Sequence, residues 1–234
     1  MVQETLSALA DQYGSDKGAA HGDRHRYASI IDLLLGRQRD AIRHVVEIGL
    51  ARGGHEASPG TLAPAAESPS VRMWLDFFPK ARITGIDHAD FAFMAAEQPR
   101  FRFLRADAGS VDNLRAIAGQ LGNEVDLLID DASHASYHQQ LALRELFDCL
   151  RPGGLYLIED LHWQPAALEA SLPLVHRTSD WIELFRQGRA PVSSVWRGED
   201  IAKLQQSVDC CTSFRDTQVP GGRYISALAI FRKR

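Results

Sequence analysis

The chain has 234 residues, 45% hydrophobic and 24% charged, with 26 Lys and Arg against 30 Asp and Glu for a formal net charge of −4. That length suits one large domain with a sizeable core, and the mild acidity excludes the basic patch that general nucleic-acid binding requires. No apolar run is long enough to cross a membrane, and the first residues lack the basic-then-apolar order of a signal peptide, so a cytoplasmic location is expected.

Residues 1–40 read as a helical cover. "HVVEIGL" (44–50) is a β-branched strand running into glycine, and "ARGGHEASPGTLAPAAESPS" (51–70) is a long loop following it. "SVRMWLDFF" (70–78) has helical spacing and leads to a second strand, "RITGIDHA" (82–89). A third strand, "FRFLRAD" (101–107), precedes a helix over 110–121. The fourth, "VDLLIDD" (125–131), precedes a helix over 136–150 that "RPGG" (151–154) is expected to stop. "GGLYLIED" (153–160) is the fifth strand. Residues 161–206, with Trp163, Trp181 and Trp196, read as mostly helical and surface-like, an expected substrate-facing insertion. "SVDCCTSFRD" and "GRYISALAIFRKR", joined through "TQVPGG", read as an antiparallel hairpin closing the sheet. Strands alternating with helices give βαβ units and a parallel sheet, here expected as a single domain over 1–234. Ligands of such sheets sit beyond the C-terminal strand ends. Cys149, Cys210 and Cys211 form no C-x-x-C pair and read as reduced thiols, mostly in the core.

Acidic residues recur at those strand ends. Glu47 precedes a turn bearing Gly49, Gly53 and Gly54, which lacks the G-x-G-x-x-G spacing of a dinucleotide site. Asp87 ends the second strand, where a carboxylate can accept two ribose hydroxyls, and Asp107 ends the third, near where an adenine amino group would lie. The fourth and fifth strands end in Asp130-Asp131 and Glu159-Asp160. Four carboxylates converging on one region are unfavourable unless a cation is present. All-oxygen ligands suit Mg²⁺, or less readily Mn²⁺ or Ca²⁺, over zinc. The alternatives are solvated strand ends, or one of Asp130 and Asp131 serving a cofactor. His134 follows Asp131 by three residues and is the candidate general base. His138, one turn later, either supports it or faces solvent, and the remaining histidines have no comparable setting, though His162 follows Asp160 closely.

Acids at the first strand ends, without phosphate-binding glycines, resemble the class I S-adenosylmethionine-dependent methyltransferases. That resemblance implies a Rossmann-like α/β fold with a seven-stranded, mostly parallel sheet whose last pair is antiparallel. More closely, "YGSDKG" (13–18), "HRYASIIDLLL" (25–35), "VEIGLARGG" (46–54), "RMWLDFFPKARITGID" (72–87), "IDDASHASYHQ" (129–139) and "PGGLYLIED" (152–160) follow one another. Together they are similar to the metal-dependent sugar O-methyltransferases of antibiotic biosynthesis, over roughly residues 13–163. The D-x-S-H and E-D pair is the most specific part. The resemblance implies Mg²⁺ on Asp131, Glu159 and Asp160, His134 as base, and S-adenosylmethionine held by Glu47 and Asp87. It turns Asp130 toward the cofactor or the metal's surroundings and folds Ser15, Asp16 and Lys17 over the cofactor. The implied substrate is a small-molecule glycoside, with no nucleic-acid or membrane partner and a homo-oligomer left open. Rival readings are an aminosugar N-methyltransferase, a catechol-type O-methyltransferase and a non-catalytic S-adenosylmethionine-binding protein.

Overall fold

The computed structural model describes residues 4–21, 24–50, 68–215, 218–219, 223–224 and 227–234. Most of the 51–70 loop, including Gly53, Gly54 and His55, and most of "TQVPGG" therefore lie outside the described residues. Seven strands build the main sheet: β1 His44–Ile48, β2 Arg82–Asp87, β3 Phe101–Arg105, β4 Val125–Asp130, β5 Leu150–Ile158, β6 Val208–Arg215 and β7 Ala227–Lys233. Their order is β3-β2-β1-β4-β5-β7-β6. The first five run parallel, and β7 is antiparallel to both β5 and β6. A separate two-residue ladder pairs Gln218–Val219 with Arg223–Tyr224.

Each face of the sheet carries helices. α1 (Leu6–Tyr13), α2 (Tyr27–Leu35) and α3 (Pro69–Phe77) cover one, with Leu6, Ile31 and Trp74 packed on Val45, Leu127, Ile129 and Leu157. The short α4 (Ala92–Glu97) lies between β2 and β3. On the other face, Val46, Ile48, Leu128, Tyr156 and Ile158 meet α5 (Val111–Leu121), α6 (Ser136–Leu146), α8 (Thr178–Arg186) and α9 (Gly198–Ser207). The four-residue α7 (Ala166–Glu169) lies between β5 and α8 in the chain. Strand side chains alternate between faces with a period of two, so beyond the irregularity at Val125–Leu127 the odd-numbered residues of β1, β4 and β5 point to α1–α3 and the even-numbered ones to α5–α9. The ladder continues past the strand ends, since the Asp131 amide donates to the Ile48 carbonyl (2.9 Å) and the Glu159 amide to the Asp130 carbonyl (3.0 Å).

Three expectations change. "RPGG" does not stop the helix. α6 ends at Leu146 with a 3₁₀ turn over Phe147–Cys149, and Arg151–Gly154 lie within β5. Val125 pairs with Leu150 but Leu127 pairs with Leu155, so Pro152 and the two glycines form a bulge that absorbs the extra residues. The segment 161–206 is not surface-like throughout. Trp181 and Trp196 are fully buried, stacked with ring centroids 4.6 Å apart, and belong to the core on the α5–α9 face. Only Cys149 of the three free cysteines is buried; Cys210 is exposed because β6 is the sheet's edge.

Candidate active site

The sheet reverses direction of strand addition between β1 and β4, and the crevice beyond their C-terminal ends is where such folds bind ligands. Backbone packing there is close. Gly49 has φ +90°, and a Cβ on it would lie 2.0 Å from the Asp131 carbonyl oxygen, so only glycine fits. Beside it opens a small recess lined by Ser15, Asp16, Lys17, Gly49, Leu50, Pro69, Ser70 and Asp131. Among the described residues, no helix is long and apolar enough to cross a membrane.

Strand alternation sorts the acids. Glu47, Asp131 and Glu159 share odd parity and turn to the α1–α3 side. There a buried lysine meets them. Lys17 Nζ lies 2.5 Å from Asp131 Oδ2, 2.5 Å from Glu159 Oε2 and 3.5 Å from Glu47 Oε1. Lys17 is 1% exposed. Burial disfavours its charge, but the carboxylates of Asp131, Glu159 and Glu47 more than offset this and hold its pKa well above the ordinary lysine value. Burial raises the acids in turn. Glu47, which accepts a 2.7 Å hydrogen bond from Ser70, is pushed up to about 7, Asp131 is raised, and Glu159 is raised well above the usual carboxylate value despite Lys17. One ammonium therefore stands against three crowded carboxylates. Buried Glu159 Oε1 has no hydrogen-bond partner among the described residues.

Asp160 faces a different set of groups. Its Oδ1 accepts from the Tyr27 hydroxyl (2.7 Å) and lies 3.6 Å from His25 Nδ1 and 3.9 Å from His162 Nδ1. Its Oδ2 lies 3.7 Å from His134 Nε2. Burial pushes this carboxyl up, but His134, His25 and the Tyr27 hydroxyl outweigh it and hold the pKa below the usual carboxylate value. Asp160 and His134 both adopt left-handed backbone, φ 54° and 57°. Non-glycine residues reach that region at a cost of about 1 kcal/mol or more, and such strain collects at functional sites. The His134 ring is buried edge-on to Trp163, with centroids 5.9 Å apart.

The expected site residues thus divide. Ser15 and Gly49 line the recess, with Asp16 and Lys17, and Glu47 stands behind it against Lys17 and Ser70. Asp87 shapes the rim by accepting from the amides of Leu50 and Ala89, both at 2.8 Å. Asp107 is exposed and ties its own loop through the Gly109 amide, away from the recess. Asp130 points to the opposite face. Burial pushes it up to about 7, and its Oδ1 accepts from the Ala132 amide at 3.4 Å. Asp131, His134 and Asp160 each bring one ligand atom, all within 4.8 Å of one another; His25, Asp160 and His162 form a second such group. The carboxylates of Asp131, Asp160 and Glu159, the last with one buried oxygen open, fit a hard divalent ion such as Mg²⁺ or Mn²⁺. The compact trio substitutes His134 for the expected Glu159, which Lys17 engages.

Two partners escaped the sequence. His25 was assigned no setting, yet it stands beside Asp160. Tyr27, at the first position of α2, had no role in the sequence reading and is the hydroxyl that holds Asp160. The signal was the H-x-Y spacing ahead of α2. His138 is half-buried, and its Nδ1 pairs with Ser133 Oγ at 2.7 Å, bracing the turn into α6.

No family model matches the chain. The 8-demethyl-8-alpha-L-rhamnosyl tetracenomycin-C 2'-O-methyltransferase of Streptomyces olivaceus is 37% identical over 156 residues, 67% of this chain and 37% of that protein. The mycinamicin VI 2''-O-methyltransferase of Micromonospora griseorubida is 33% identical over 156 residues, 67% of this chain and 36% of that protein. The match thus spans just over a third of these relatives' own length. Among solved structures, the MycE methyltransferase of the mycinamycin biosynthetic pathway, in complex with Mg and SAH, superposes with a TM-score of 0.66 at 25% identity, covering 99% of this chain and 55% of that one.

Proposed function

We propose that this chain, a homologue of the antibiotic sugar O-methyltransferases with the class I methyltransferase fold, transfers a methyl group from S-adenosylmethionine to a sugar hydroxyl of a glycosylated natural product, with Mg²⁺ in its site. The observation that carries this reading is the convergence of the Asp131, Glu159 and Asp160 carboxylates beside the Gly49 recess at the ends of β4 and β5, with His134 Nε2 3.7 Å from Asp160 Oδ2. Ser15, Gly49, Glu47 and Asp87 form and back the wall that takes the cofactor, while Asp107 and Asp130 are its outlying candidates. Bound S-adenosylmethionine supplies the methyl group. Asp131, Glu159 and Asp160 hold the metal. Mg²⁺ bound there supplies Lewis-acid activation and orientation of the acceptor oxygens.

The chain's own residues do the rest. His134 takes the proton of the acceptor hydroxyl on a ring nitrogen, and the Asp160 carboxylate 3.7 Å from Nε2 stabilises the resulting imidazolium. Trp163 packs edge-on to that ring and limits its rotation. The same tryptophan makes 161–177 the part of the 161–206 segment that meets the acceptor. Holding nucleophile and methyl group in line contributes much of the rate. A biosynthetic enzyme consuming S-adenosylmethionine works in the cytoplasm, which is the location we assign.

The test is methyl transfer from labelled S-adenosylmethionine to a panel of deoxysugar glycosides. EDTA abolishes transfer and added Mg²⁺ restores it. His134→Ala lowers the turnover rate by about 100-fold or more. Transfer that persists in EDTA refutes the metal reading. An unchanged turnover rate for His134→Ala across pH refutes its role as base.

A further inference from the structure

Lys17 occupies ground that a metal held by Asp131 and Glu159 also needs. Its ammonium lies between one oxygen of each carboxylate, at 2.5 Å from both. The lysine backbone is fixed, because the Ala28 amide donates to the Lys17 carbonyl (3.0 Å) and neighbouring bonds tie Asp16 to His25 and Gly18 to Arg26. The side chain is a flexible stem with a point charge at its end. It also lines the recess, so space for the ammonium adjoins its present position. Glu159 Oε1, buried and without a hydrogen-bond partner among the described residues, leaves one side of that carboxylate open to a second cation.

We propose that Lys17 is an exchangeable internal cation: it holds Asp131 and Glu159 together until a divalent ion arrives, and the ion then displaces the ammonium into the recess. The inference rests on reading Asp131, Glu159 and Asp160 as metal ligands. Two cations a few ångströms apart repel strongly in a buried site, so the ammonium and the ion exclude each other from the gap. The groups facing Lys17 are Asp131, Glu159, Glu47 and Asp16, all of them acids, so the gap the ammonium leaves is lined by carboxylates that favour an incoming cation.

The experiment measures Mn²⁺ binding to the metal-free wild-type chain and to Lys17→Gln by electron paramagnetic resonance of free Mn²⁺. Alongside it, the wild-type chain is acetylated with acetic anhydride, with and without Mn²⁺, and mapped by peptide mass. Lys17→Gln binds Mn²⁺ about tenfold more tightly, and Lys17 of the wild type is protected without the ion and acetylated with it. Binding by Lys17→Gln no tighter than wild type, or Lys17 protected in both states, overturns the proposal while leaving the metal site standing. Absence of Mn²⁺ binding to both proteins overturns the metal reading and the proposal with it. If Lys17→Gln fails to fold, acetylation of the wild type decides alone.

Discussion

Replacing Tyr27 by Phe removes one oxygen and keeps the ring, which is 1% exposed and packed in the α1–α3 core. That oxygen serves three groups. It donates to Asp160 Oδ1 at 2.7 Å and accepts from the amides of Asp160 (3.2 Å) and Ala227 (3.1 Å). A hydrogen bond to a buried charge contributes about 1.5–3 kcal/mol, and each buried amide that loses its acceptor costs about 1 kcal/mol or more. The expected loss of stability is therefore about 4 kcal/mol, large for a single oxygen in a protein of ordinary stability. The assay is urea unfolding in EDTA, followed by tryptophan fluorescence and far-ultraviolet circular dichroism. Coincident transitions license the two-state treatment. Trp181 and Trp196, both buried on the opposite face, report global unfolding. A loss below about 1 kcal/mol refutes the reasoning, because it means the hydroxyl is not the junction of these groups.

His44 makes a pH test away from the site. It is buried, with Nε2 2.9 Å from Thr84 Oγ1 and Nδ1 3.0 Å from an Arg82 nitrogen, and burial with Arg82 lowers its pKa to about 4. The folded state resists a proton that the unfolded chain takes up near pH 6.5, so stability is lost as pH falls from about 6.5 to 4, by about 3 kcal/mol. The difference between wild type and His44→Gln in urea unfolding at pH 7.5 and 4.5 isolates that loss, and a pH-independent difference rules it out. Gly49→Ala forces a Cβ to 2.0 Å from the Asp131 carbonyl at φ +90°, so it destabilises the chain by more than about 3 kcal/mol or abolishes soluble expression. Wild-type stability of Gly49→Ala in thermal unfolding contradicts the close approach of β1 to β4.

The sheet was readable because each parallel strand is a short β-branched or apolar run bounded by turn residues. The strands expected at 44–50, 82–89, 101–107 and 125–131 differ from the observed ones only at their C-terminal ends. "RPGG" misled because the same residues that end helices also make bulges, and only the pairing of β4 with β5 decides between them. Trp181 and Trp196 misled because a short helix with polar neighbours reads as surface until its partner is known. The partner here is the β7 face, where Phe185, stacked on Trp181, meets Phe231. At the site, Asp131, His134 and Asp160 stood out as strand-end chemistry. The Lys17 contact did not, because it joins residues 114 and 142 positions apart and no local pattern encodes it. Strand parity separates Asp130 from Asp131, a rule available from sequence once β4 is placed, although it does not say what each side chain meets.

The Tyr27 junction has a consequence for how the chain assembles. Its hydroxyl bonds to Asp160, 133 residues on, and to Ala227, 200 residues on. Contacts of such separation form late, after the entropy of closing long loops has been overcome. During synthesis, Tyr27 emerges before β7 and waits for it before its last partner exists. Residue 27 therefore acts as a clasp for the completed sheet: the Tyr27 hydroxyl acquires its full set of partners only once β7 is in place.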